Sequence, residues 1–150
     1  MTNHFLALWK EARTRFTKQL EVIKETDLQK KLGKSPNSAG FLIRHIAEVE
    51  LLFAKNVFGK NDVKITAKTV IEGKDTGKWT DLAELKSIVE QAEQQLKYAI
   101  EQQQNSNWES EVETKEFGKK TLAEAFGRVV SHTAYHAGQL AIIVKYGIQN

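Results

Sequence analysis

Thr121-Leu-Ala-Glu-Ala-Phe-Gly-Arg-Val-Val-Ser-His-Thr-Ala-Tyr-His-Ala-Gly-Gln-Leu-Ala-Ile-Ile-Val-Lys145 is the stretch on which the fold turns. Leu122, Phe126, Val129, Thr133, His136, Leu140 and Ile143 recur at three- and four-residue steps, the period of one helix face. Thr121 with Glu124 is a capping-box start, and Gly147 closes the run. His136 falls on the apolar stripe and His132 at its margin. Residues i and i+4 of a helix stand one above the other, so both imidazoles can aim at one spot. Turned into a core, they need polar partners or a shared metal, because an unpaired buried polar group is costly.

Working outward, three more amphipathic runs precede this one. The first is predicted from Asn3 to about Lys24 or Glu25, with Phe5, Leu8, Trp9, Ala12, Phe16, Leu20 and Ile23 inward and Lys10, Arg13 and Lys18 outside the stripe. His4 stands at its exposed start and reads as a solvated surface residue. A connector, Lys30 to Ser38, follows; Pro36 suits a first helical turn, and Ser35, Asn37 or Ser38 is a candidate cap. The second helix is predicted from Ser38 to Phe58 on the stripe Leu42, His45, Val49 and Leu52, where His45 is the only strongly polar member. The third starts at Asp81, with Glu84 three residues on, and ends near Gln102.

Between Gly59 and Trp79 the periodicity is lost, apart from the β-prone piece Val63 to Ile65. A connection of that length is a crossover or a lid. Trp108 to Lys120 reads as a short extended passage or an irregular loop. Four helices of this size in one chain argue an all-α, single-domain four-helix bundle spanning 1–150, with the long crossover between the second and third helices.

Composition narrows the function classes. The 150 residues are 41% hydrophobic and 27% charged, ordinary for a globular domain with a real core. The formal charge of +3 comes from interspersed Lys and Glu, so no basic stripe suggests a nucleic-acid partner. Cysteine is absent, which excludes disulfides, a thiolate nucleophile from the chain itself and Cys-based zinc sites. The opening decapeptide is too short and too soon charged for a signal peptide, and no apolar run reaches the roughly 20 residues of a membrane span. The expectation is a soluble cytoplasmic protein.

His45 on the second helix joins His132 and His136 on the fourth as a candidate metal set. Three neutral imidazoles make one face of a coordination sphere, leaving positions for water or substrate, and suit Zn, Ni, Co or Fe. A helical His-x-x-x-His pair arises by chance, and Thr133 stands where a zincin motif has Glu. A single core histidine is ordinarily structural; three are harder to assign that way.

Ser131-His-Thr-Ala-Tyr-His-Ala-Gly-Gln-Leu140, with Leu42-Ile-Arg-His-Ile-Ala-Glu-Val-Glu50 upstream, resembles the DinB-like superfamily over essentially the whole chain. The resemblance implies that His132 and His136 of the His-x-x-x-His-x-Gly-Gln signature bind a divalent metal together with His45. Ala137 stands where the family pattern often has Arg, removing an anion contact without touching the ligands. It also implies a metal-dependent hydrolase, or a transferase using a low-molecular-weight thiol cosubstrate on a small molecule, and a homodimer. The contrasting reading is a stress-linked, non-catalytic metal-binding or interaction protein.

Around the histidines, Glu48 is a candidate to orient an imidazole or accept a proton, or else a solvated or ion-paired helix residue. Gln139 is a candidate partner of a ligand or an end cap. Ala137 and Gly138 read as close-packing positions. Arg44 and Arg128 are candidate anion contacts at a pocket mouth, or surface charges.

Overall fold

In the computed structural model, which describes residues 1–149, helices α1 (Thr2–Val22), α2 (Ala39–Asn56), α3 (Lys68–Glu72), α4 (Leu82–Glu101) and α5 (Leu122–Tyr146) alternate with two short 3-10 turns and a hairpin of β1 (Glu111–Thr114) and β2 (Gly118–Thr121). The four long helices are the four predicted from periodicity, so the chain is an all-α bundle. Their starts have local causes. The Ser38 hydroxyl accepts the Phe41 N–H, Asp81 accepts the Glu84 N–H, and Thr121 and Glu124 cap one another reciprocally.

Side-chain contacts give the helix directions. Arg44 reaches Glu84 near the starts of α2 and α4, and Gln103 donates to the Phe58 carbonyl at 3.1 Å near their ends. These two helices run parallel, which is what the long crossover permits. Phe5 meets Phe126, and Gln19 donates to the Ala137 carbonyl, so α1 and α5 also run parallel. Neighbours around the bundle are α1 with α4, α4 with α2, α2 with α5, and α5 with α1. Consecutive helices α1 and α2 therefore lie diagonally across the core, as do α4 and α5. Phe16, Leu42, Ile46, Leu96, Ile100 and Leu140 fill it. Trp108 plugs one end, its indole N–H donating to the Thr2 hydroxyl at 2.9 Å and its ring stacked on Phe5.

Several expectations are corrected. Arg13 is 3% exposed rather than outside the buried stripe, and Leu8 is 59% exposed rather than on it. The cause is Glu50, fully buried on α2, both of whose carboxylate oxygens accept from the Arg13 guanidinium across the core. Pro36 lies before the helix, which Ser38 caps; its carbonyl accepts the Asp75 N–H instead. The crossover holds no strand at Val63 to Ile65, but it carries α3 and buries Val63, Thr69 and Trp79. The passage from Trp108 to Lys120 ends in the antiparallel hairpin, with Val112 opposite Lys120. Ala137 is buried, whereas a side chain at Gly138 would meet open space.

Close approach instead falls at Gly40. Its N–H donates to the Leu28 carbonyl at 2.8 Å, and a Cβ there would sit 2.0 Å from the Trp79 carbonyl oxygen. Backbone cannot yield as a side-chain tip can. Gly40→Ala is therefore expected to destabilise the bundle by about 1–3 kcal/mol or more, read as a melting temperature lower by several degrees. An unchanged melting temperature would mean that the crossover is not held tightly against α2.

Candidate metal centre

Antiparallel packing of α2 against α5 brings His45, one and a half turns into α2, opposite His132 and His136. One ring nitrogen from each of the three lies within 4.8 Å of the others. His45 Nε2 and His132 Nε2 are 3.1 Å apart, and all three rings are half-buried. Two nitrogens bound at roughly 2.0–2.1 Å to one ion stand roughly 2.9–3.4 Å apart for angles between octahedral and tetrahedral. The 3.1 Å between His45 and His132 falls in that range, and His136 comes within 4.8 Å of both. The donor set fits a shared ion, being three imidazoles held uncharged.

That neutrality has a physical cause. Burial, followed by the unfavourable interaction that a protonated ring would have with the neighbouring His136, pushes the His45 pKa down to about 4. Burial and the neighbouring histidines push His132 down to about 3. Burial also lowers His136, against the hydrogen bond that it donates to Gln139, which favours its charged form. A histidine depressed in this way stays neutral in the fold while the unfolded chain takes up a proton near the usual 6.5. The unfolded state then binds more protons, so stability is complete above about pH 6.5 and falls as pH drops towards 4. Thermal melts of metal-free protein are expected to show a decline as pH falls from about 6.5, and a shallower one in His132→Phe, the difference between the two proteins isolating the histidine contribution from that of the carboxylates. A flat profile in the wild type would contradict these depressed values.

The surrounding groups treat the three rings differently. His45 Nδ1 lies 3.1 Å from the Thr69 hydroxyl, which in turn donates to Glu48 Oε2. Glu48 is fully buried and also accepts from the Thr69 N–H at 2.8 Å and Arg44 Nε at 2.7 Å. Glu48 is thus ion-paired with Arg44 rather than solvated, and Thr69 bridges it to His45. His136 Nδ1 is 2.7 Å from Gln139 Oε1. His132 Nδ1 is buried with no hydrogen-bond partner among the described residues.

A cavity of about 560 Å³ opens beside the histidines. His45 and His132 form part of its wall, Val49, Phe53 and Val70 supply much of the apolar lining, and the hairpin turn at 113–117 forms its rim. Arg44 does not line it; its guanidinium lies over the Trp79 ring and pairs with Glu48. Arg128 is exposed beside a second groove shared with His132 and Tyr135, where it pairs with Glu116 and covers Phe117. Gln139 contacts His136 but lies outside the main cavity. Thr69 went unrecognised in the sequence, because the crossover has no periodicity to assign it a face.

Comparison with known proteins follows the same outline. No curated protein matches the chain significantly. Among solved structures, two crystal structures of the mycothiol-dependent maleylpyruvate isomerase, one of a histidine-to-alanine mutant and one without it, superpose with TM-scores of 0.73 and 0.70. Each is 16% identical, and the alignment covers 93% of this chain but only 60% of the neighbour, so the likeness concerns the fold. The DinB superfamily model matches residues 8–140, which takes in all three histidines as well as the bundle around them, and the chain belongs to the DinB superfamily.

Proposed function

We propose that this chain is a metal-dependent enzyme in which His45, His132 and His136 hold a divalent ion and the adjoining cavity receives a small molecule for thiol transfer or hydrolysis. The observation carrying this reading is the convergence of three uncharged imidazoles at the wall of a largely apolar cavity. Zinc, nickel, iron and cobalt all suit such a donor set. When bound, the ion supplies Lewis acidity that lowers the pKa of a thiol or water within its reach. The protein's own groups do the rest. Val49, Phe53 and Val70 keep water from the organic part of the substrate, while Lys115 and Glu116 at the rim offer charge to its polar part. Arg128 is placed to meet an anionic group entering along the second groove. Glu48 serves the centre through Thr69, since both its oxygens are already occupied.

Thiol transfer is favoured over hydrolysis because the chain has no cysteine of its own, and its structural neighbours are described as mycothiol-dependent. The test is cobalt-loaded protein titrated with a panel of low-molecular-weight thiols. A thiolate-to-cobalt charge-transfer band that saturates with thiol, followed by turnover of an electrophilic small molecule, is expected. No band with any thiol, together with no hydrolysis in an ester and amide screen, would leave the reading without support.

A further inference from the structure

The crossover contributes one side chain to the histidine cluster, and hydrogen accounting gives it a role. Thr69 has a single hydroxyl proton, and that proton is committed to Glu48 Oε2. Glu48 accepts three donors, one of them a guanidinium, and so acts only as an acceptor. The Thr69 oxygen can then only accept from His45 Nδ1, which must carry the ring's proton. His45 Nε2 is left as a bare lone pair, pointing at His132 Nε2 at 3.1 Å.

From this chain of bonds we infer that Thr69 is a positioning residue for the histidine centre, fixing His45 as the Nδ1–H tautomer with Nε2 free to act as a ligand. Arg44 and Glu48 anchor it, and α3 exists to deliver it. Thr69 is 1% exposed, and its own N–H is tied to the same carboxylate, so the hydroxyl has no freedom to turn away. His136 is set in the same sense by an entirely local bond to Gln139. His132 has no such partner, and its Nε2 is left to donate to the bare Nε2 of His45 while no ion is present. Two rings are thus preset as ligands, and one must move its proton to Nδ1 before it can join them.

The tautomer is a property of the metal-free protein and is independent of the proposed function; only the effect on metal affinity rests on that reading. Long-range proton–nitrogen NMR on metal-free, histidine-labelled wild type is expected to show His45 protonated on Nδ1 and His132 on Nε2. Thr69→Val keeps the shape but removes the hydroxyl. It is expected to shift His45 to a tautomer mixture and to weaken zinc binding roughly 10–100-fold, with Thr69→Ser restoring both. His45 protonated on Nε2 in the wild type, or a Thr69→Val protein with unchanged tautomer and zinc affinity, would overturn the inference. Should Thr69→Val fail to fold, the wild-type spectrum decides alone. A wild type that binds no zinc but shows the expected tautomers would overturn the metal reading and keep Thr69 as the group that orients His45.

Discussion

His45→Ala and His136→Ala proteins, purified without an affinity tag, are expected to contain essentially no divalent metal, beside about one ion per chain in the wild type. Each substitution removes one of three convergent ring nitrogens and leaves a pair that cannot define a coordination face. The expected loss of affinity exceeds the roughly 100-fold that follows from disturbing a ligand's hydrogen-bond partner, which separates these variants from Thr69→Val. Stability offers a second readout. With free metal at about 100 times its dissociation constant the wild type gains about 2.7 kcal/mol, and the variants gain little. Elemental analysis and metal-dependent melts measure both. Absence of metal from the wild type, even after reconstitution with zinc, nickel or cobalt, would return the three histidines to the structural core.

The second large effect lies away from the site. Arg13→Ala is expected to cost about 3–5 kcal/mol, because Glu50 would be left as a fully buried carboxylate facing only the Thr133 hydroxyl. Burial already pushes the Glu50 pKa up, with the Arg13 guanidinium as the main opposing influence. Glu50→Ala harms the fold less, since Arg13 keeps Glu93 at 2.8 Å and the Val89 carbonyl at 3.2 Å. Replacing both by leucine is expected to cost far less than the sum of the single changes, because no charge is then left unpaired in the core. Urea unfolding of the wild type and these three variants makes the comparison. If Arg13→Ala cost under about 1 kcal/mol, water must reach Glu50 and the pair is not the diagonal tie described above.

The same two residues show where reading the sequence stops. Helix existence was legible because packing selects apolar residues at a fixed period, and Leu122 through Ile143 obey it. Arg13 was placed outside because its charge broke that pattern, and its partner lies 37 residues away on a helix that only the fold brings near. The histidine pair on α5 was legible as one turn of a single helix. His45 joined them as the only strongly polar member of the α2 stripe, and the family resemblance implied the same set. Thr69 was out of reach: nothing local distinguishes it, and its role depends on a carboxylate 21 residues earlier. The hairpin is legible only as an extended passage or a loop, since strands of four residues carry too few alternations to separate the two.

The diagonal placement of consecutive helices has a kinetic meaning. Neither short connection joins helices that pack side by side, so no pair of sequence neighbours forms a self-supporting helical hairpin. The earliest stable nucleus has to close a long loop, which places this chain among slower-folding helical proteins. The 25 residues of α5 dock against α1 and α2, two helices synthesised before it, and bring two of the three imidazoles with them. During synthesis, the cluster can therefore assemble only after α5 has emerged behind α1 and α2.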